Sequence, residues 1–418
     1  MIASSAGNVA GRLTMLGVFR EPSYRRLWAS GLCVNVARSM DLVALGWLAL
    51  QLTGSPFMVG LAAFARSAPL MVVGPFTGIV ADRVPRWRIL LVAQSTGVLT
   101  ALALALIFAA GAGGYWPLVA LEVVFGLMWA LDFPARRTAL YALLGAPRVA
   151  QAVSLETVSM QVGKMLGPLA AGVCLAGLGP AACFALMAVV HGAGLAASSG
   201  LRRQLGGPGA PVPVSVAASM RAGLRVAWST PTVRAVLLVT IAMNTLFFPY
   251  QQMLPVFARD VLALGPAGLG ALVAADGCGA LLGALAIASR HGQLGHRALF
   301  GAAVLVAPVL LVALSGSRWL PVCVALLVVM GMAESAFAAM QSTLVLLSAP
   351  ERARGGAMGI LSACIGTQPL GTLAIGLLAA SFGAPLAFAV NAAATLVVIV
   401  PLAVPLVRSS TTRLVHGL

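Results

Sequence analysis

Residues 78–88 read GIVADRVPRWR, four charged side chains in eleven residues, set between two long apolar runs. The rest of the chain makes that stretch stand out. Of 418 residues, 60% are hydrophobic and 9% charged, where a soluble domain carries about 25% charged residues. A helix needs roughly 20 apolar residues to cross the hydrocarbon of a bilayer, and runs of that length flank the stretch on both sides. The island is therefore the connection between two membrane segments.

Working outward from it, the apolar runs parse into twelve segments, at 27–51, 57–81, 87–111, 116–141, 150–177, 180–201, 233–258, 266–289, 297–315, 319–347, 355–380 and 384–407. The expected fold class is an all-α polytopic membrane protein. The net charge of +16 would suit nucleic acid, but its placement argues for topology. With the amino terminus inside, 21 arginines fall in cytoplasmic stretches, against Arg259 and Arg318 outside. The positive-inside rule then puts both termini in the cytoplasm, and no nucleic-acid partner is expected. The sequence expects a multi-pass protein of the cell inner (cytoplasmic) membrane, monomeric in the lipid bilayer. Residues 1–26 are polar and basic, without a cleavable signal pattern. The six cysteines form no C-x-x-C pair, which speaks against a zinc site or disulfide framework.

The longest polar interruption is 202–232, whose Gly/Pro cluster cannot continue a helix. From 214 to 229 it carries basic residues along a semi-apolar helix, as expected of a segment lying on the membrane face. The expected organisation is a cytoplasmic N-terminus at 1–26, a six-helix bundle at 27–201, a central loop at 202–232, a second bundle at 233–407 and a tail at 408–418. A faint repeat supports it: LGAPRVAQAV (144–153) echoes LSAPERARGG (347–356). Duplicated membrane halves place their substrate site between the repeats, near the midplane.

The quoted loop resembles the signature of the major facilitator superfamily, G-x-x-x-D-R-x-x-R-R, with Gly78, Asp82, Arg83 and Arg86 in register; Trp87 replaces a base that Arg88 restores one position on. The resemblance implies twelve helices in two pseudo-symmetric six-helix bundles, and a gate latch in which Asp82 meets the amino end of span 11. A carboxylate there gains about 0.3–1 kcal/mol from the helix dipole. A topogenic basic loop explains the arginines but not Asp82 or Gly78. In span 5, Ser154-x8-Gly163-x3-Gly167-Pro168-x2-Ala171-Gly172 is similar to the family's antiporter motif. Small residues at that spacing also serve ordinary close packing. YRRLW (24–28), QLTGSPFMVG (51–60) and ALDFPARR (130–137) resemble the exporter branch that includes enterobactin-exporter-like and macrolide-efflux-like proteins.

Six of the ten acids lie inside predicted spans: Asp41, Glu122, Asp132, Glu156, Asp276 and Glu334. A charge at the bilayer centre costs roughly 2.5–3.5 kcal/mol, so each is either half of a fixed ion pair or a group that gains and loses a proton. Asp41 is the leading proton carrier, with Arg38 one turn earlier on the same face as its static partner in the alternative reading. Arg66 could instead neutralise Asp41 or meet an anionic substrate group. Asp132, Arg136 and Arg137 read as gate charges at the cytoplasmic end of span 4; Glu122, near the other end, reads as reaching water. Lys164, the sole lysine, needs a carboxylate, with Glu156, Asp132 and Asp41 as candidates. Asp276 and Glu334 are second proton sites or ligands for a cationic substrate. Asn244, Phe248 and Gln251 either line a pocket or pack helices.

No Walker motif, G-x-S-x-G or H-E-x-x-H occurs, so no enzyme, cofactor or ATPase engine is expected, and the energy source is a proton gradient. One charge crossing 100 mV yields about 2.3 kcal/mol. The expected function is proton-coupled efflux of a small amphipathic molecule, such as a drug, antibiotic, siderophore or other secondary metabolite. Import of a nutrient by symport, or a non-transporting membrane sensor, are the rival readings.

Overall fold

A computed structural model describes residues 17–202, 205, 216–289, 295–350 and 353–415, with side chains described except at 72–83, 146–147, 149–150, 216–220, 222 and 404–415. The spans fall close to the apolar runs. Spans 1 to 3 are Pro22–Thr53, Pro56–Arg83 and Arg86–Ala109. Spans 4 to 6 are Tyr115–Gly145, Gln151–Gly177 and Gly179–Ser199. A surface helix, Val216–Ser229, precedes span 7 at Pro231–Asp260. Spans 8 to 10 are Pro266–Ser289, His296–Gly316 and Leu320–Ser348. Spans 11 and 12 share the stretch Arg354–Ala403 and part at Gly383.

Local chemistry sets these boundaries. Spans 1, 2, 7 and 8 each open on a proline, whose missing N–H would be unbonded at a helix start in any case. Spans 4 and 5 part at Gly145, and spans 11 and 12 at Gly383, with φ of 68° and 81°. Only glycine adopts that left-handed geometry freely, so the chain changes direction there within a few residues.

The outward faces carry large exposed apolar side chains, among them Leu99, Leu106, Val189, Leu285 and Val397. In water such surface would drive aggregation; in hydrocarbon it is the solvated face. Polar groups turn inward: Asp41, Glu122, Asp132, Glu156, Asp276 and Glu334 are all buried.

Two compact units form. The first comprises Met1–Asp41, Arg66–Gly167 and Gly177–Pro211; the second comprises Leu42–Ala65, Pro168–Ala176 and Val212–Leu418. In the second, the halves of spans 1, 2 and 5 farthest from residue 22, here the distal ends, pack on spans 7, 8 and 11. A Cβ built on Gly60 would lie 3.2 Å from Gly376 Cα, one on Gly172 3.0 Å from Gly270 Cα, and one on Gly46 2.6 Å from Pro255. Arg259 Nη1 donates to the Leu50 carbonyl at 3.3 Å in the same layer. Backbone meets backbone there, which only glycine permits.

Candidate functional site

In the first unit, spans 1, 2 and 4 bring two acids to one base. Arg66 Nε donates to Asp41 Oδ2 at 2.6 Å and lies 3.3 Å from Glu122 Oε2. Arg66 Nη2 reaches the Arg38 carbonyl at 3.4 Å. Asp41 is 1% exposed and Glu122 fully buried. Asp41 Oδ1 and both Glu122 oxygens lack a donor among the described residues, although both carboxyls face the same Arg66 Nε. A proton held between them would supply that donor. With it the trio is neutral; without it the trio carries one buried negative charge.

Two expectations change here. Arg38 does not pair with Asp41: its guanidinium lies 4.2 Å from the Trp129 ring centroid, a cation–π contact its long stem reaches across the helix gap. Glu122 does not reach water. The span 4 turn beneath it closes on span 2 because Gly126 sits against the Arg66 carbonyl, sealing the acid inside.

Nearer the end at which span 1 begins, Arg136 forms a fork on Asp132, with Nε–Oδ2 and Nη2–Oδ1 both 3.0 Å. Its Nη1 donates to the Leu27 carbonyl at 3.0 Å and Nη2 to Ser30 Oγ at 3.4 Å. A bidentate pair with its spare donors engaged is the geometry in which a buried ion pair holds helices in place. Ser30 also meets Ser198 Oγ at 2.7 Å and accepts from Gln94 Nε2 at 3.4 Å, and Gln94 Oε1 in turn lies 3.3 Å from His191 Nδ1. Arg137 lies over Phe133 at 5.0 Å. Glu156, on span 5, approaches Arg136 across Gly31.

In the second unit, span 7 is not a regular helix. Met243–Phe247 form a π-turn, with Phe248 N–H bonded to the Met243 carbonyl at 2.9 Å. The extra residue rotates the remainder of the span. Tyr250 Oη donates to Glu334 Oε1 at 2.9 Å and lies 3.4 Å from Asp276 Oδ1, while Gln251 Nε2 reaches both Glu334 oxygens, at 3.2 and 3.0 Å. Phe248 packs between Phe247 and Phe337. Asn244 donates instead to the Thr240 carbonyl in its own helix, at 2.9 Å, so it braces the π-turn. π-turns concentrate at functional sites; the sequence offered only Pro249 as a hint.

The span 5 motif packs on two sides. Gly163 lies against Asn35 and Gly167 against Val36, Ser39 and Met40 of span 1; Gly172 and the Pro168 carbonyl face Gly270 of span 8. Lys164, between these glycines, is half-buried. Of the loop motif, Gly78, Asp82 and Arg83 lie outside the described side chains. Arg86 is half-buried, and Arg88 and Arg202 lie over Trp87, each 5.3 Å from its ring.

Comparison with known proteins places this architecture. Residues 13–413 match the family described as transmembrane secretion effector. The multidrug efflux pump Tap of Mycolicibacterium fortuitum is 29% identical over 384 residues, 88% of this chain and 92% of that protein. Tap of Mycobacterium tuberculosis strain H37Rv is 25% identical over 369 residues, 85% and 87% of the two chains. Among solved structures, a POT family transporter in complex with 5-aminolevulinic acid superposes with a TM-score of 0.75 at 12% identity, over 91% of this chain and 95% of that one. The twelve-span major facilitator architecture and the match along nearly its whole length show that the chain belongs to the transmembrane secretion effector family of membrane transporters.

Proposed function

We propose that the chain exports small amphipathic molecules in exchange for protons, from a cytoplasmic membrane in which both of its termini face the cytoplasm. The observation that carries the coupling is the Asp41–Arg66–Glu122 trio. Its two acids share one guanidinium edge and lack a donor that a single proton provides. Taking up and giving off that proton changes the buried charge by one, and a charge in a low-dielectric site decides which surroundings are tolerated. A bilayer-spanning helix pair that must be neutral to close and charged to open couples protonation to alternating access. The direction of transport rests on the likeness to proteins named as multidrug efflux pumps, and the span 5 motif agrees with it. The Asp82 latch, the Asp132–Arg136 fork as part of the gate, and monomeric function belong to the same proposal.

The test uses the whole chain reconstituted in vesicles, with ethidium as the transported probe and an internal pH dye. Uphill ethidium movement should release protons in the opposite sense, and Asp41→Asn should abolish both while leaving downhill exchange. Ethidium accumulation against its gradient with no proton counterflow, or undiminished in Asp41→Asn and Glu122→Gln alike, overturns the proposal. Proton flow in the same sense as substrate would instead establish symport.

A further inference from the structure

The helix Val216–Ser229 plays no part in the sites described above. It lies across the starts of two spans in the second unit. Thr230, extended in its backbone, turns the chain from it into Pro231 of span 7, and a Cβ on Gly223 would meet the Gly356 carbonyl in the first turn of span 11. Val226 and Ala227 are buried on that same side. Positions 221, 224, 225 and 228 fall on the opposite side at helical spacing. All four are exposed: Arg221, Leu224, Arg225 and Trp228, the last by 66%.

Such a stripe fits one environment. Facing water, it would leave Leu224 and Trp228 bare; facing hydrocarbon, it would strand two guanidiniums. The headgroup layer takes both, with the indole at the boundary and the guanidiniums among phosphates. Span 7 continues the surface: Arg234 is exposed in its first turn, and Leu238 and Ile241 follow on the same face as part of the apolar exterior. The charge there is uncompensated. Residues 202–258 hold five arginines and no acid, and no carboxylate pairs with Arg221, Arg225 or Arg234 among the described residues. A zwitterionic headgroup carries its own cation beside the phosphate and leaves that excess standing, whereas an anionic headgroup cancels it.

We infer that the outward stripe of this helix, with Arg234 at the start of span 7, docks on anionic phospholipid headgroups, its guanidiniums on lipid phosphates and Trp228 among the upper acyl carbons. A guanidinium takes a phosphate through two parallel N–H bonds. Because the other side of the helix rests on Gly356, the bound lipid holds the start of span 11 as well as that of span 7. The inference goes beyond the export reading and does not depend on it: docking needs only that the helix lies at a membrane surface.

The full chain reconstituted in phosphatidylcholine vesicles tests it through Trp228. Phosphatidylglycerol or further phosphatidylcholine, each brominated near the carbonyl end of its chains, is added in steps. The quenching that disappears in Trp228→Phe is the part that reports this stripe. Phosphatidylglycerol should be preferred there about ten-fold or more, since each arginine near an anionic surface is worth about five-fold, and the preference should shrink at high salt. Arg221→Gln with Arg225→Gln should bring the ratio close to one. Arg221→Lys with Arg225→Lys keeps the charge and should keep most of the preference. The salt titration on the unaltered chain decides the matter if the glutamine variant does not reconstitute. Equal quenching by the two brominated lipids in the unaltered chain, or a preference unmoved by salt and by the glutamines, overturns the inference. Quenching of Trp228 by neither lipid overturns it too, and would turn the stripe toward water and a protein partner.

Discussion

Tyr250 occupies in the second half of the chain the place that Asp41 holds in the first. Asp41 meets Arg66, 25 residues on, at 2.6 Å; Tyr250 meets Asp276, 26 residues on, at 3.4 Å. The correspondence continues, for Gly126 packs on the Arg66 carbonyl and Gly331 on that of Asp276. One backbone scaffold therefore appears twice, with a guanidinium on one copy and a carboxyl on the other. Tyr250→Phe removes the phenol shared by Glu334 and Asp276 and should cost about 1–3 kcal/mol, read as a lowered thermal midpoint in detergent. An unchanged midpoint would show that the phenol bridges nothing.

Removing Arg66 should be worse than removing an acid. Arg66→Ala leaves Asp41 and Glu122 buried with no guanidinium between them, and losing one partner of a buried pair costs about 3–5 kcal/mol. Combining it with Glu122→Gln should restore part of the loss. A double-mutant cycle on thermal stability measures the coupling; strict additivity would deny that the three residues act as one group.

The glycine-on-carbonyl contacts carry their own prediction. Gly126→Ala and Gly331→Ala each place a methyl group against backbone that cannot swing aside. Both should lower the unfolding midpoint although alanine is the better helix former by about 1 kcal/mol. A rise in either midpoint would mean that the neighbouring span moves freely.

The distal layer can be wedged. Gly172→Leu should part spans 5 and 8, since even a Cβ at 172 would lie 3.2 Å from Ala267 Cα. A cysteine introduced by Ala267→Cys should then react with a membrane-impermeant maleimide several-fold faster than in the Gly172 background. Equal labelling in both would show that spans 5 and 8 do not depend on this contact to stay together.

The spans were legible because their signals are local. Prolines at 22, 56, 231 and 266 and unbroken apolar runs need no partner to be read. The site was legible only in part, because who meets whom across helices is not written in any one period. Arg38 and Asp41 share a helical face, which suggested a pair, yet Arg66 takes the carboxylate and Trp129 takes Arg38. Glu122 lies eight positions into span 4, where an acid ordinarily reaches the headgroups; only the inter-helix approach at Gly126 buries it. The π-turn at 243–247 has no sequence period of its own, and it is what aims Tyr250 and Gln251 at Glu334.

The distal layer is built from Gly60, Gly172, Gly270 and Gly376, residues with no side chain to remove from solvent. Among lipid chains, which are as apolar as leucine, removal of area from water does not hold such faces together; close van der Waals packing of backbone on backbone does. That attraction forfeits a quarter to a half of its depth over a gap of roughly 0.5–1 Å. The seam is therefore sensitive to distance rather than to area, and one added methyl group at any of the four positions loosens it along its length.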